Sequence, residues 1–275
     1  MAKNSSGSSQ EMSFWDHLDV LRGVMFRGIA VLFVAAVVLF VFMPWIFDNV
    51  ILAPCRGDFV TYALFDRLAR SIPAFADAAT SVDFHVELIN IQLASQFFIH
   101  MSASCWLALV LTFPVLIYLI WGFIKPGLYE NERRGSKLAF FFGNLMFFLG
   151  VAVGYFIVFP LTVRFLSDYQ LSSMIPNQIS IDSYMDTFIT LIMMMGLVFE
   201  LPLLAWLLGR MGLLTRGFFN RYRRHAIVAL LIMAAIITPT GDPFTLFAVF
   251  IPIYMLWEFS AFLVPGELRD QSVKA

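Results

Sequence analysis

Charged residues and cysteines are scarce in this sequence. Asp, Glu, Lys and Arg make up 13% of the 275 residues, while 60% are hydrophobic and the mean hydropathy is +0.81; soluble globular proteins carry roughly 25% charged residues. The two cysteines, Cys55 in a predicted loop and Cys105 in a predicted apolar helix, are expected to form neither a disulfide nor a metal site. No nucleotide-binding loop or haem motif is present. We therefore expect an integral membrane protein with no cofactor, metal ion, nucleic acid partner or enzymatic activity.

The hydrophobic residues are concentrated in six segments, most of them long enough for a helix to cross the roughly 30 Å of a bilayer core. The pattern predicts an all-α, polytopic membrane protein with six spans at about 24–43, 97–121, 138–159, 186–208, 226–239 and 244–263. We expect residues 13–263 to form a single integral membrane domain. Residues 1–12 lack the pattern of a signal peptide and are expected to be a disordered cytoplasmic tail, with residues 264–275 as a second cytoplasmic tail.

Basic residues are unevenly distributed between the two sets of loops. Fourteen of the 18 Lys and Arg residues fall in the tails, at the start of the first span, and in the loops after spans two and four. Because loops rich in Lys and Arg stay in the cytoplasm, we expect both termini to be cytoplasmic. The outer loops, about 44–96 and 169–183, form either a cap over the bundle or solvated segments with interfacial helices.

The last two spans are short. At 1.5 Å per residue, residues 226–239 cover about 21 Å, less than a bilayer core requires, and Pro252 is expected to break the sixth span. Such a pair thins the lipid locally, draws polar groups inward, or leans on longer neighbouring helices. The alternative is that both helices simply pack behind the other four.

Glu200 lies deep in the fourth apolar segment, two residues before Pro202, which we expect to open the helix. An ionised carboxylate at that depth costs about 2.5 kcal/mol or more, so such groups face a protein interior or a water-filled cavity. Two roles fit this position: a contact with a polar group on a partner's helix, with local wetting of the membrane, or a proton carrier in a secondary transporter. Few other polar groups (Asn144, Thr162 and Thr190) lie in the apolar segments, which disfavours the transporter.

A third and weaker alternative is an intramembrane enzyme. His100 lies near Ser102 and Ser104 at the outer start of the second span. No carboxylate accompanies these residues and no nucleophile elbow is present. We therefore interpret His100 as an interfacial residue.

The loop after the second span reads FIKPGLYENERR, from Phe123 to Arg134. Its two carboxylates, Glu130 and Glu132, stand among basic residues. One interpretation is a solvated turn. The other is a recognition patch for a peptide that is cationic at one end and hydrophobic beyond it, because a carboxylate binds an arginine guanidinium in a bidentate geometry that lysine lacks.

The N-terminal stretch SFWDHLDVLRGVMFR, from Ser13 to Arg27, predicts an amphipathic helix along the cytoplasmic interface before the first span. Its polar face contains Asp16, Asp19 and Arg22 at spacings of three. This helix is either a membrane-surface element with self-paired charges or a second part of a recognition surface.

Five sequence elements occur in an order that resembles one known family. They are HLxxLR (His17–Arg22), FxxPGLYxxER (Phe123–Arg133), FELP (Phe199–Pro202), TP followed by Asp242, and PxYxLxE (Pro252–Glu258). Together with six spans, they are similar to the TatC family, the core subunit of the twin-arginine protein translocase, over about Ser13 to Glu258. The resemblance implies a concave, cupped bundle with periplasmic cap loops in the bacterial cytoplasmic (inner) membrane.

The resemblance also implies a function. Proteins of this family dock the twin-arginine signal peptides of folded precursors on the cytoplasmic face. They assemble, within the membrane lipid, with single-span TatA/TatB-type subunits and with further copies of themselves. Export is then driven by the proton-motive force.

The resemblance further assigns roles to residues of the loop after the second span. Glu132 is the expected arginine-binding carboxylate. Phe123, Leu128, Tyr129 and Arg133 are expected to shape the same patch.

The N-terminal element departs from the family pattern. It retains Arg22, but the family's glutamate position is occupied by Val20, and Asp19 precedes it. Because one residue turns a helix by about 100°, Asp19 contacts arginine only if the local geometry differs. Glu200 corresponds to the family's intramembrane glutamate, and Asp242 to the carboxylate of its outer turn.

Overall fold

The computed structural model describes residues 14–71, 84–124, 136–172, 174–175 and 177–264. Within this part of the chain the α-helices are α1 (Phe14–Ile46), α2 (Val60–Ser71), α3 (Ser95–Ile124), α4 (Ser136–Val153), α5 (Phe159–Asp168), α6 (Ile181–Val198), α7 (Leu201–Arg210), α8 (Arg216–Ile237) and α9 (Pro243–Leu263). A π-helical turn follows α1 (Phe47–Ile51) and another joins α4 to α5 (Gly154–Val158). Below, the near side is the side on which α1 begins and α9 ends, and the far side is the opposite one.

Five segments of the described chain are long and apolar enough to cross a membrane: Leu18–Cys55, Ser95–Phe123, Phe140–Asp168, Ile181–Arg210 and Pro243–Leu263. The remaining predicted span lies in α8, whose first half carries Arg221, Arg223 and Arg224. Only its second half, 226–237, is apolar, and it covers about 18 Å. The all-α, polytopic membrane fold is confirmed.

Prolines interrupt the helices less than the sequence suggests. Helix α1 continues through Pro44 to Ile46, and α9 runs without a break through Pro252, so the expected break at Pro252 is wrong. A proline removes one backbone hydrogen bond, and in a membrane helix the neighbouring groups can supply a replacement. At Pro44 that replacement is visible. The Phe40 carbonyl, which lacks a donor from Pro44, accepts from Nε2 of His100 at 2.8 Å.

The far-side loops pack onto the bundle as a cap. Residues Leu88–Ile89 and Ile179–Ser180 form two short strands, β1 and β2, that pair in parallel, and the Ser95 hydroxyl bonds the Asp182 carboxylate beside them. Tyrosine hydroxyls hold the segment that follows α1 by donating to its carbonyls: Tyr155 to Val50 (2.8 Å), Tyr184 to Ile51 (2.6 Å) and Tyr62 to Pro54 (2.8 Å). Of the two expectations for these loops, the cap is the correct one for the described segments that make these contacts.

Helices α4 and α6 approach each other closely in the middle of the bundle. A Cβ at Gly150 would lie 2.5 Å from the Met195 carbonyl oxygen and 2.7 Å from the Phe199 Cβ. Only glycine therefore permits this spacing. The contact places Phe199, and with it the following residue Glu200, against α4.

Candidate functional site

Glu200 occupies the junction between α6 and α7. Its N–H donates to the Leu197 carbonyl at 3.1 Å and its carbonyl accepts from Leu204 at 3.0 Å, so the chain continues in the same direction. Pro202 stands in the first turn of α7, where a missing N–H is tolerated. The expectation that Pro202 opens the helix is correct: the α-helix is interrupted at Phe199 and Glu200.

The Glu200 carboxylate is directed towards α4. Its Oε2 lies 3.3 Å from the position that a Cβ of Gly143 would take, so the absence of a side chain there makes room for the carboxylate. Its Oε1 is buried and has no hydrogen-bond partner within the described ranges. A buried acceptor without a donor is costly, and it is therefore suited to a donor from another molecule.

Asn144, the residue after Gly143, is a second polar side chain at this level of α4. Its Nδ2 donates to the Phe140 carbonyl at 2.8 Å. Its Oδ1 is buried and, like Oε1 of Glu200, finds no donor among the described residues. The amide is thus half satisfied by its own helix, and its oxygen remains available.

An apolar groove of about 200 Å³ begins beside Glu200. It runs between α4, α7 and α9 and is lined by Phe142, Met146, Pro202, Leu203, Trp206, Phe259 and Leu263. At its near-side end the Arg210 guanidinium stacks over the Trp206 ring, 4.7 Å from the centroid. Leu203, which lines the groove, and the Glu200 carboxylate both face the Cβ position of Gly143, at 2.8 and 3.3 Å, so the carboxylate lies close to a groove that can accept apolar side chains.

The predicted peptide-docking residues lie on the near side, as far as the structure describes them. Glu132, Leu128, Tyr129 and Arg133 are outside the described residues. Phe123, at the end of α3, is half-buried. Asp19 and Arg22 are exposed on α1, and the Arg22 guanidinium lies 5.6 Å from the Phe26 ring centroid.

The packing of α1 against α3 brings the two predicted docking elements to the same level. A Cβ at Gly28, on α1, would lie 3.5 Å from Leu116 Cδ2, on α3. These two residues of the antiparallel helices are therefore at the same depth in the bundle. Arg22 precedes Gly28 by six residues and Phe123 follows Leu116 by seven, so both stand about 10 Å nearer the near side. The first turns of α1 therefore lie beside the end of α3, the last described residues before the segment that contains Glu132.

Asp242 serves as the N-cap of α9. Its Oδ1 accepts the Thr245 N–H at 2.7 Å and its Oδ2 accepts the Thr240 hydroxyl at 2.6 Å. Burial by itself would raise the pKa of Asp242, but these hydrogen bonds outweigh it and hold the pKa below its usual range. Gly241, at φ +62°, makes the turn before it. The carboxylate of the far-side turn therefore has a structural role in the chain.

A near-side cluster joins α8 to α9. Arg223 pairs with Glu258 at 2.6 Å, and the Tyr254 hydroxyl donates to the other Glu258 oxygen at 2.8 Å. The sequence motif PxYxLxE contains Tyr254 and Glu258 four residues apart, a helical spacing that signals their contact. It gave no sign of Arg223, because that partner comes from another helix.

His100, Ser102 and Ser104, the candidate residues of an intramembrane enzyme, all donate hydrogen bonds to backbone carbonyls. Ser104 donates to His100 at 2.7 Å and Ser102 to Ile99 at 3.3 Å, both in their own helix. The His100 ring bonds Phe40 and stacks on it, with 4.0 Å between centroids. His100 thus connects α3 to α1, and the three side chains are not arranged as a nucleophile and its base.

Comparisons with known proteins agree with this arrangement. The family described as "Sec-independent protein translocase protein (TatC)" matches residues 16–252. A TatC protein of Blattabacterium sp. subsp. Periplaneta americana is 32% identical over 92% of this chain and 95% of its own length. Another, from Koribacter versatilis, is 32% identical over 100% of this chain and 94% of its own length.

Solved structures lead to the same family. A crystal structure described as "Twin Arginine Translocase Receptor- TatC" matches with a TM-score of 0.68 and 27% identity, covering 90% of this chain and 97% of that one. A second, of such a receptor in DDM, has a TM-score of 0.70 at 27% identity, covering 90% and 99%. This chain is therefore a multi-pass membrane protein that belongs to the TatC family of bacterial Sec-independent protein translocases.

Proposed function

We propose that this chain is the signal-peptide receptor of a twin-arginine translocase, with its near side in the cytoplasm of a bacterium. Similar solved structures are described as twin arginine translocase receptors. Fourteen of the 18 Lys and Arg residues belong to the tails, the start of the first predicted span and the loops predicted after spans two and four. Such an excess keeps loops in the cytoplasm.

Signal-peptide docking uses the start of α1 and the loop between α3 and α4. The common level of Arg22 and Phe123 supports this, since it brings two near-side elements together. Glu132 supplies the carboxylate for the paired arginines, and Leu128 and Tyr129 supply apolar contacts beyond it. Asp19, exposed on α1, is the nearest acidic residue of the N-terminal element to the family's glutamate position.

Photo-crosslinking tests this docking. A photoreactive residue at position 128 is combined with signal peptides that carry Arg-Arg or Lys-Lys. We expect capture of the Arg-Arg peptide to exceed that of the Lys-Lys peptide by roughly tenfold, because only guanidinium binds a carboxylate in a bidentate geometry. Glu132→Gln should remove this preference. Glu130→Gln, in the same loop, is the matched control and should retain the preference for Arg-Arg. Equal capture of both peptides by the protein with Glu132 intact would contradict the docking proposal.

Inside the membrane, Glu200 contacts a polar group on the helix of a single-span partner subunit. This contact is proposed because the Glu200 Oε1 is buried and finds no donor among the described residues. The residue also lies close to the groove between α4, α7 and α9. The apolar side chains of a partner helix fit such a groove, and a hydrogen-bond donor on that helix would pair the carboxylate. Proton-motive force then drives transport by the assembled complex of these subunits and further copies of this chain.

Replacing Glu200 separates transport from docking. Glu200→Ala should abolish transport and leave signal-peptide binding within about twofold of the original, because the carboxylate faces Gly143 inside the bundle and is not one of the proposed docking residues. Leu204→Ala, one turn further along α7 at an exposed position, is the control and should preserve both activities. Loss of peptide binding together with transport in Glu200→Ala would mean that the residue is structural.

The alternative of a proton-coupled secondary transporter gains no specific support. Asn144 and Thr162 donate to carbonyls of their own helices, Phe140 and Val158. The Thr162 hydroxyl and the Asn144 Nδ2 are therefore engaged within the bundle, and only the Asn144 Oδ1 lacks a partner among the described residues. Glu200 acts at the interface with another molecule in the function proposed here.

A further inference from the structure

The far-side loop between α5 and α6 exposes four large apolar side chains. Tyr169 is 64% exposed, Leu171 88%, Met174 89% and Ile175 64%. No charged residue occurs from Tyr169 to Ile181. A loop in water is normally polar, and a cluster of exposed apolar side chains marks a contact surface.

The loop is fixed to the end of α5, so these side chains point outward from an ordered turn. Nδ2 of Asn177 lies 2.9 Å from the Leu166 carbonyl, 3.1 Å from that of Ser167 and 3.3 Å from that of Tyr169. Within the loop, the Ile175 N–H donates to the Ser172 carbonyl at 3.1 Å. The N–H groups of Tyr169, Met174 and Ile175 are thus bonded within the chain, to Phe165, Ser172 and Ser172, while the apolar side chains beside them remain exposed.

The stacking of Phe165 on Phe244 fixes the depth of the loop. These rings lie 4.2 Å apart at an interplanar angle of 14°. Phe244 is the second residue of α9, so Phe165 stands level with the far-side end of that helix. Tyr169 follows Phe165 by four residues, or about 6 Å along the helix axis.

Two placements of α9 bracket the position of the loop. If all of α9 spans the bilayer, it covers about 31 Å, and Tyr169 lies about 6 Å beyond the hydrocarbon, within the headgroup layer. In the second placement, Glu258, which pairs with Arg223, lies at the near-side boundary of the hydrocarbon core. The part of α9 from Phe244 to Glu258 is then only about 21 Å long. Tyr169 then lies about 3 Å inside an unthinned hydrocarbon core. Both placements put the loop at the boundary between headgroups and acyl chains.

We propose that the side chains of Tyr169, Leu171, Met174 and Ile175 insert into the far-side lipid leaflet at this boundary. Tyr169 is an interfacial aromatic anchor of the kind enriched at that depth, and Leu171, Met174 and Ile175 enter the acyl region. The absence of charge favours lipid over a salt-bridged protein partner. The insertion does not depend on which peptide the near side binds.

Fluorescence quenching tests the insertion with the full chain in vesicles. Cys55 and Cys105 are replaced by alanine, and Met174→Cys or Leu171→Cys is labelled with an environment-sensitive nitrobenzoxadiazole dye. Asp58→Cys, at an exposed far-side residue, is the matched control. We expect brominated phosphatidylcholine to quench the dyes at 174 and 171 at least twice as strongly as the dye at 58. Aqueous iodide should show the reverse order.

Other occupants of the surface give different results. Iodide quenching at 174 and 171 as strong as at 58 would show a water-facing loop and overturn the proposal. Protection from both quenchers would show that a second copy covers the loop, and it would overturn the proposal equally. Bromolipid quenching that persists when the protein is diluted tenfold in lipid supports direct insertion. Circular dichroism of each labelled variant checks that the helices are intact.

Discussion

His100 supplies the hydrogen bond that Pro44 cannot. Proline has no N–H, so the carbonyl four residues earlier in α1 loses its helical donor. The imidazole of His100, on α3, donates to that carbonyl and stacks on the Phe40 ring. A residue that sequence alone classed as interfacial thus completes the backbone of a neighbouring helix.

A double-mutant cycle tests this pairing. His100→Phe keeps an aromatic ring and removes the donor, and we expect it to lower the free energy of unfolding by about 1–3 kcal/mol. In the Pro44→Ala background the helix regains its own donor, so the same substitution should cost clearly less. The measurement is unfolding of the purified protein in mixed detergent, with additive effects as the contradicting result.

Asp242 makes the stability of the far-side turn depend on pH. A carboxylate whose folded pKa is lowered stabilises the folded state above its unfolded pKa, near 3.9. That contribution is lost as the pH falls through the folded value. We expect Asp242→Ala to cost about 1 kcal/mol at pH 7, as the loss of an N-cap does.

The difference between Asp242→Ala and the unaltered protein should shrink below about pH 4. Thermal unfolding of the two proteins between pH 7 and pH 3 measures it. Asp58→Ala, at an exposed far-side position, is the control. A gap that stays constant over this range would show that the charge of Asp242 does not contribute to the cap.

At the scale of elements, the contact between α4 and α6 determines where Glu200 points. Gly150 lets the two helices touch at Met195 and Phe199, and Gly143, two turns earlier on α4, leaves space for the Glu200 carboxylate. The interruption at Phe199 and Glu200 lies opposite these glycines. Two glycines of α4 thus leave space that side chains would otherwise occupy. Phe199 fills the space at Gly150, and the Glu200 carboxylate fills the space at Gly143.

Gly150→Ala tests this arrangement. The added Cβ would meet the Met195 carbonyl oxygen at 2.5 Å and must push the helices apart. We expect it to lower the free energy of unfolding by about 1–3 kcal/mol and to reduce transport, since Phe199 and Glu200 move with α6.

Gly122→Ala is the matched control for this substitution. A Cβ at Gly122, in α3, would meet nothing within 4 Å, and alanine favours a helix over glycine by about 1 kcal/mol. The control should therefore be neutral or stabilising. Equal effects of the two substitutions would contradict the role of the close contact.

For the molecule as a whole, the sequence predicts the all-α, polytopic membrane fold because that fold is governed by the length and hydropathy of local segments. The apolar runs, the short fifth span and the amphipathic α2 all follow from local composition. The predicted break at Pro252 is wrong, since the effect of a proline depends on neighbouring helices that a single segment does not reveal.

The polar contacts between helices could be predicted only in part, for the same reason. Glu200 and Asp242 stand out in the sequence because a carboxylate in an apolar segment or before a helix is conspicuous. The partner of Glu258 is Arg223, and the partner of His100 is the Phe40 carbonyl. Both partners are remote in sequence. Every residue has a backbone carbonyl, so an acceptor of this kind cannot be recognised from residue type. The bonds that the three tyrosines of the cap make to carbonyls therefore could not be predicted.

These tyrosine contacts have a consequence for the redox behaviour of the cap. Cys55 is buried, Cys105 is exposed and both are free thiols, so the far-side segments are held by hydroxyl-to-carbonyl bonds and packing. Such bonds form as soon as the chain folds, whether the surrounding compartment is oxidising or reducing. Assembly of the cap therefore requires no oxidant, and a reductant has no cross-link to cut there.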